Sequence, residues 1–377
     1  MTTAKLKRFM SHPLELAFCG YSGSGKTTLI TAVMSQLSFQ FKIGYVKSDV
    51  HGFEIDHKGK DTHTALKSGA SAVFISDSDH WATVQTGSHD LLTLPSLYEN
   101  CDFVLAEGYK NSSMDKIVIL DEDQSILKSY SSGQLDSIVA FVGISPERPN
   151  GLLVDIPYFQ RDAIGHISEF VKTYFLNQVS KRPLYGLVLT GGKSLRMKQD
   201  KALLKYSHKT QTEVSLDLLE SKCEKVYVSS RKGQWKGDHQ WSHPSIEDKY
   251  DSAGPLSGIL SAMDQHPEAA WLVVACDLPF LDNLTIDQLV SERNKFKMAT
   301  AFQSSVSELP EPLCAIYEPR FKPRLLHFLG LDYACPRKIL IHSSHKTLVL
   351  KNKNALSNAN FPDEYKQARE QIERSLV

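Results

Sequence analysis

At 377 residues the chain is long for a single core, so two domains are expected, or three. Its 41% hydrophobic and 23% charged residues are those of a globular protein, which excludes a disordered or fibrous chain. Lys plus Arg and Asp plus Glu each total 43, so the basic excess that a nucleic-acid or membrane surface calls for is missing.

In chain order, LELAFCG (14–20) reads as a buried strand, followed by a glycine-rich turn and a helix through about Leu37. FKIGYVKS (41–48), AVFISD (72–77), WATVQT (81–86), DFVLAEG (102–108), KIVILD (116–121) and SIVAFVG (137–143) are further strand candidates. DAIGHISEFVKTYF (162–175) has apolar residues at helical spacing and closes the series. The polar stretch LNQVSKRP then marks a boundary near 176–183. A second strand-turn-helix series begins with LYGLVLTGG (184–192) and continues through VYVSS (226–230), WLVVACD (271–277) and ATAFQ (299–303). Strands alternating with helical stretches point to α/β architecture in both halves.

Cys19, Cys101, Cys223, Cys276, Cys314 and Cys335 form no C-x-x-C pair and read as free thiols. The opening MTTAKLKRFMSHP lacks the apolar centre of a signal peptide, and no run is long enough to span a membrane. The expected location is the cytoplasm.

Gly20-Tyr-Ser-Gly23-Ser-Gly25-Lys26-Thr27 fits G-x-x-x-x-G-K-[ST] at every fixed position, between a buried strand and a helix N-terminus. Backbone N–H groups and the helix dipole cradle phosphate oxygens in such a loop, with Lys26 toward the terminal phosphates and Thr27 toward Mg²⁺. Thr28 follows in the same turn. Glu107, ending the DFVLAEG strand, is a better candidate metal carboxylate than Asp102, which begins it. No N-K-x-D motif for guanine is present. His51, His57 and His63 recur every six residues, which suits neither a helix face nor a zinc site. The polar stretch around Asp56, Gly59, Lys60, Asp61 and Thr62 can close over an anionic ligand, Lys60 standing just before a helix start. The alternative is a helix cap by Asp61 or Thr62, with Thr62 the favoured oxygen.

The second half carries a different loop. A buried strand ends in Leu189-Thr190-Gly191-Gly192, and a basic segment with Arg196 runs to Lys201. Glycine-turn donors with an Arg fork and a Lys point charge suit a triphosphate. Asp277 ends an apolar strand, where an α/β sheet places ligand groups and where a carboxylate can hold Mg²⁺. Asp248-Lys-Tyr-Asp-Ser-Ala-Gly254-Pro-Leu-Ser-Gly258 reads as a loop before a helix that can shape a base or second-substrate pocket.

With these residues in view, 184–377 resembles the molybdenum cofactor guanylyltransferases (MobA), through LTGGKSLRMKQDKALL, SIEDKYDSAGPLSGI, VVACDLPFL, PLCAIYEP and NANFPDEY. Residues 14–175 resemble the GTP-binding adaptor of the same pathway (MobB), through GYSGSGKTTLI, DHKGKDT and LAEGYK. The resemblance implies two α/β domains. A P-loop NTPase-like domain over 1–178 would precede a Rossmann-like nucleotidyltransferase domain, with a mostly parallel sheet, over 183–377. It implies GTP contacts from Leu189, Thr190, Gly191, Gly192, Lys201, Ser229 and Asp248, Mg²⁺ on Asp277, and Arg196 near the triphosphate. Asn358 and Asn360 would fall near that site. The implied reaction is GMP transfer from GTP to molybdopterin, or its molybdenum-loaded form, with loss of pyrophosphate. Implied partners are molybdoenzymes or a molybdenum-insertion protein, with no nucleic acid and no membrane. Thr190, Lys198 and Ser229 stand where that family usually has Ala, Gly and Asn, and Ser48 where MobB usually has His. Two other readings stay open: a CTP- or sugar-directed nucleotidyltransferase, and a GTP-binding carrier whose transferase half has decayed.

Overall fold

The structure, a computed structural model, describes residues 11–47, 59–87, 92–191, 200–206, 208–234, 241–304, 307–359 and 361–375. It divides into two compact units, Met1–Phe175 and Leu176–Val377.

The first unit is built on strands β1 (Glu15–Cys19), β2 (Ile43–Lys47), β5 (Phe103–Glu107), β6 (Lys116–Ile119), β7 (Ile138–Gly143) and β8 (Tyr158–Gln160), with β3 (Ala72–Ser76) and β4 (Trp81–Gln85) apart from them. The six lie in the order β2-β5-β1-β6-β7-β8, every pair parallel. Parallel strands covered on both faces read as continuous apolar runs, and β1, β5 and β6 are buried along almost their whole length. The helix Lys26–Leu37 buries Leu29, Ile30, Val33 and Leu37, a single apolar stripe. The chain leaves β1 for β2 on one side and later places β6 on the other. That makes the carboxyl end of β1 a topological switch point, where ligands bind in such sheets.

Strands β3 and β4 form a separate antiparallel hairpin with Phe74, Ile75 and Trp81 exposed. Only residues 77–80 join them, closed by Asp77 Oδ1 accepting the N–H groups of Asp79 and His80. A parallel crossover needs a dozen residues or more, so this spacing itself demands antiparallel pairing. The helix expected over 162–175 is Ile164–Ser180: Ile167, Val171, Phe175 and Val179 continue one four-residue repeat of buried positions. The helix Asp61–Lys67 starts with Lys60 at its cap and no capping side chain, so neither Asp61 nor Thr62 serves as the cap. Both already lie inside the first turn.

The second unit has strands β9 (Leu184–Leu189), β10 (Lys225–Ser230), β11 (Ser245–Glu247), β12 (Ala270–Ala275), β13 (Ala299–Gln303), β14 (Pro310–Tyr317) and β15 (His345–Leu348), in the order β11-β10-β9-β12-β14-β13-β15. Only β14 runs against its neighbours, antiparallel to β12 and β13. β14 is not among the strands expected from the sequence; Pro310 and Pro312 open it, and prolines ordinarily argue against a ladder. Side chains alternating from the sheet fill two cores, one around Trp271, Tyr317 and Leu260, the other around Leu272, Ile316 and Phe302. From β9 the chain passes to β10 and β11 on one side and to β12 on the other, so the carboxyl ends of β9 and β12 flank the second switch point.

All six cysteines are free; Cys19, Cys276 and Cys314 are buried, and burial pushes the Cys19 thiol up to about 11. No helix among the described residues is long and apolar enough to cross a membrane.

Candidate functional sites

In the first unit the loop after β1 has the backbone that its glycines permit. Gly23 and Gly25 have φ of +77° and +82°, where L side chains are strained. A Cβ at Gly20 would lie 2.6 Å from Ser24 Oγ and 2.8 Å from the Ile119 carbonyl, so only glycine fits there. Lys26 folds over the loop and donates to the Tyr21 carbonyl at 2.8 Å. The Thr27 hydroxyl donates to both oxygens of Glu107, at 2.9 and 2.8 Å, although 80 residues separate them. Thr28 is exposed in the same helical turn. Asp102 sits at the other end of its strand, where its carboxylate accepts the Lys42 N–H.

Two residues beside Glu107 were not singled out from sequence. The Tyr45 hydroxyl donates to Oε2 at 2.7 Å, and Lys47 Nζ lies 3.4 Å from Oε1. Both come from the end of β2, which pairs with β5 in register Lys47↔Glu107. Burial pushes the Glu107 carboxyl up, but the Tyr45 and Thr27 hydroxyls and the Lys47 ammonium outweigh it and hold the pKa below the usual carboxylate range. Thr27 and Glu107 thus offer a hydroxyl and an ionised carboxylate side by side, both hard oxygen donors of the kind Mg²⁺ takes. Lys110 adds a cation across the loop, over the Tyr21 ring at 4.7 Å and 3.2 Å from Ser129 Oγ. His51, Asp56, His57 and Ser48 lie outside the described residues.

In the second unit, β9 and β12 pair in register Ala275↔Leu189, and their carboxyl ends bring the expected residues together. Lys201, in a single 3₁₀ turn capped by Asp200, places Nζ 3.1 Å from Asp277 Oδ2. Thr190 donates its hydroxyl to the Ser229 carbonyl at 2.6 Å. Ser229 donates its own hydroxyl to Asp248 Oδ1 at 2.8 Å. A Cβ on Gly191 would come within 2.9 Å of Asp248 Oδ2 and 3.4 Å of Arg231 Cγ, so the glycine lets backbone approach both charged groups. Burial raises the Asp248 pKa, against the Ser229 hydrogen bond and the Arg231 charge. Leu189, at the end of β9, packs with Ser229 against Gly258, where an added Cβ would meet Ser229 Oγ at 2.3 Å. The helix Pro255–Gln265 carrying Gly258 starts at Gly254, with φ +56°, and its Ser257 and Ser261 hydroxyls accept the N–H groups of Tyr250 and Lys249. The glycine loop singled out from sequence therefore forms one wall of this site.

Gln234 was missed. Its amide donates to the Thr190 carbonyl at 3.0 Å and to Asp200 Oδ2 at 3.1 Å, tying the end of β9 to the turn that carries Lys201. A lone glutamine in a polar loop has no sequence signature for such a role. Asn358 is exposed, and the N–H of adjacent Ala359 donates to the Asp277 carbonyl at 3.3 Å. Gly192, Arg196, Lys198 and Asn360 lie outside the described residues.

Residues 15–143 match the family described as molybdopterin guanine dinucleotide synthesis protein B (MobB), and residues 186–347 match the MobA-like NTP transferase domain. The chain is 36% identical over 189 residues to a molybdenum cofactor biosynthesis bifunctional protein of Synechocystis sp., covering 50% of this chain and 54% of that protein. It is 34% identical over 137 residues to a probable molybdenum cofactor guanylyltransferase of Clostridium perfringens, covering 36% of this chain and 66% of that protein. It is 30% identical over 174 residues to a molybdopterin-guanine dinucleotide biosynthesis adapter protein of Haemophilus influenzae, covering 44% of this chain and 92% of the adapter. The chain thus spans about half to two thirds of the first two relatives' length. The phosphate-loop unit, matched along nearly the whole of a free-standing adapter, and the glycine-loop unit behind it make this chain a member of the MobB family joined to a MobA-like NTP transferase domain.

Proposed function

We propose that the second unit transfers GMP from GTP to molybdopterin, or to its molybdenum-loaded form, and that the first unit binds GTP as the attached adaptor, in the cytoplasm. The observation that carries this is the 3.1 Å approach of Lys201, in the turn that Gln234 ties to the end of β9, to Asp277 just beyond β12, with Gly191, Ser229 and Asp248 gathered about the end of β9. A cation and a carboxylate converge there beside a glycine turn, as a triphosphate and its metal require.

In the proposed reaction a terminal phosphate oxygen of the pterin attacks the α-phosphorus of GTP. The bond from that phosphorus to the β-bridging oxygen breaks, and pyrophosphate leaves. The attacking phosphate is already ionised at neutral pH, so no protein base is needed, and catalysis reduces to positioning and charge neutralisation. Lys201 balances charge developing on the α-phosphoryl oxygens, and Asp248 with Ser229 orients the nucleoside. Asp277, an oxygen donor suited to Mg²⁺, would hold that ion, which supplies charge neutralisation on the triphosphate when bound. Product would pass to a molybdenum-insertion protein or a molybdoenzyme.

The test is pyrophosphate release by the full chain with GTP, CTP and ATP in turn, with and without molybdopterin. Release with GTP that depends on molybdopterin is expected. A CTP preference, or release that needs a sugar phosphate instead, defeats the reading.

A further inference from the structure

The phosphate loop of the first unit has two unlike flanks. On the β5 side, Thr27, Glu107, Tyr45 and Lys47 form one hydrogen-bonded cluster, which is where the terminal phosphates and their metal would lie. The nucleoside then extends toward the other flank. There the carboxyl ends of β6 and β7, with Tyr158 at the start of β8, line an open cleft of about 360 Å³, whose walls include Leu120, Asp121, Glu122, Gly143 and Ser145. Parallel strands are about 5 Å apart, so β6 and β7 stand roughly 5 and 10 Å from β1, within the reach of one nucleotide.

Arg161 joins this cleft to the loop. Its Nη2 donates to the Leu120 carbonyl at 2.9 Å, and its backbone N–H donates to the Gly143 carbonyl at 2.7 Å. A methyl group on Gly25 would touch Nη1 at 3.3 Å. The Nε atom is buried with no hydrogen-bond partner among the described residues, and an uncompensated buried donor on a cation is costly unless something fills it. Inside the cleft Asp121 accepts the N–H groups of Ser125 and Ile126, one on each oxygen, which leaves further lone pairs on both. Burial works to raise its pKa, but those backbone donors prevail and keep it ionised at neutral pH.

We propose that this cleft receives the guanine of the nucleotide held by the phosphate loop, with Asp121 accepting the ring N1–H and the exocyclic 2-amino group, and Arg161 lying between base and phosphates. An acceptor-only carboxylate matches the two adjacent donors of guanine and opposes adenine, which presents a ring acceptor at the same edge. It supplies base recognition in a chain that carries no N-K-x-D motif. The inference rests on the phosphate-loop reading of the first unit.

Equilibrium binding of GTP, ITP and XTP to the full chain tests it, counting only the occupancy lost in the Lys26→Ala variant. Inosine lacks the 2-amino group, so ITP is expected to bind roughly tenfold or more weakly than GTP. Asp121→Asn offers an amide donor in place of an acceptor, and the order of GTP and XTP should reverse, because xanthine has a carbonyl at that position. Arg161→Met is expected to weaken all three with their ratios unchanged. Equal affinity for GTP and ITP in the unmodified chain overturns the cleft assignment, and that comparison decides alone if Asp121→Asn does not fold. An unchanged GTP-to-XTP order in folded Asp121→Asn overturns it too, in both cases leaving the phosphate-loop reading intact. Absence of any Lys26-dependent occupancy overturns both.

Discussion

Lys201 Nζ and Asp277 Oδ2 are 3.1 Å apart although they stand 76 positions apart in sequence, the lysine opening a 3₁₀ turn and the aspartate following β12. Both side chains remain partly exposed, so the pair contributes at most about 1 kcal/mol to folding. Asp277→Ala should therefore fold with a melting midpoint near that of the parent while losing transfer, read as radiolabelled GMP incorporation with Mg²⁺ present. Lys201→Met should lower kcat more than it raises KM for GTP. A variant at either position that retains full turnover argues against the assigned site.

Glu107 is ionised because Thr27, Tyr45 and Lys47 favour its charged form. A carboxylate with a depressed folded pKa contributes stability above its unfolded pKa and loses it as pH falls through the folded value. Unfolding midpoints of the chain should thus decline below the usual carboxylate range, and Glu107→Gln should flatten that decline. The same substitution is expected to weaken Lys26-dependent, Mg²⁺-dependent GTP binding roughly tenfold, since a neutral amide offers less to a divalent ion. Denaturation followed from neutral into acid pH, beside binding with and without Mg²⁺, checks both.

Asp248 behaves oppositely. Burial raises its pKa, so its ionised form is a burden in the folded state, and stability falls as pH rises through the folded value. Asp248→Asn removes the charge and keeps an oxygen for the Ser229 hydroxyl. A higher thermal midpoint at neutral pH is expected together with weaker GTP use by the transferase. Such an exchange of stability for function is characteristic of a binding site. A lower midpoint would show that the charge is better compensated than its surroundings indicate.

Gly258 separates packing from propensity. Alanine in mid-helix gains about 1 kcal/mol over glycine in exposed positions. Here the added methyl would meet Ser229 Oγ at 2.3 Å and Leu189 Cδ2 at 2.7 Å. Overpacking of a buried contact costs about 1–3 kcal/mol, so Gly258→Ala should be neutral to destabilising despite the better helix former. Displacing Ser229 also breaks its bond to Asp248, so KM for GTP should rise. Chemical denaturation and steady-state kinetics on one preparation give both numbers.

Much of this protein was legible in one dimension because its signals are local. The run LAFC followed by Gly20, Gly23, Gly25 and Lys26 states a buried strand, positive backbone angles and a helix start within a dozen residues, and each of these depends only on near neighbours. The same holds for the apolar strand before Asp277 and the paired glycines after Leu189. Chain order alone could not give the strand order. Tyr45 and Lys47 reach Glu107 because β2 lies next to β5, and Arg161 reaches Gly25 although the two are far apart in sequence. Gln234 acquires its role only where two loops converge on it. Composition, glycine placement and apolar periodicity decided what the elements are and where phosphate can lie. Which side chains surround that phosphate was decided by sheet pairing, since hydrogen bonds between strands act across space without regard to their separation along the chain.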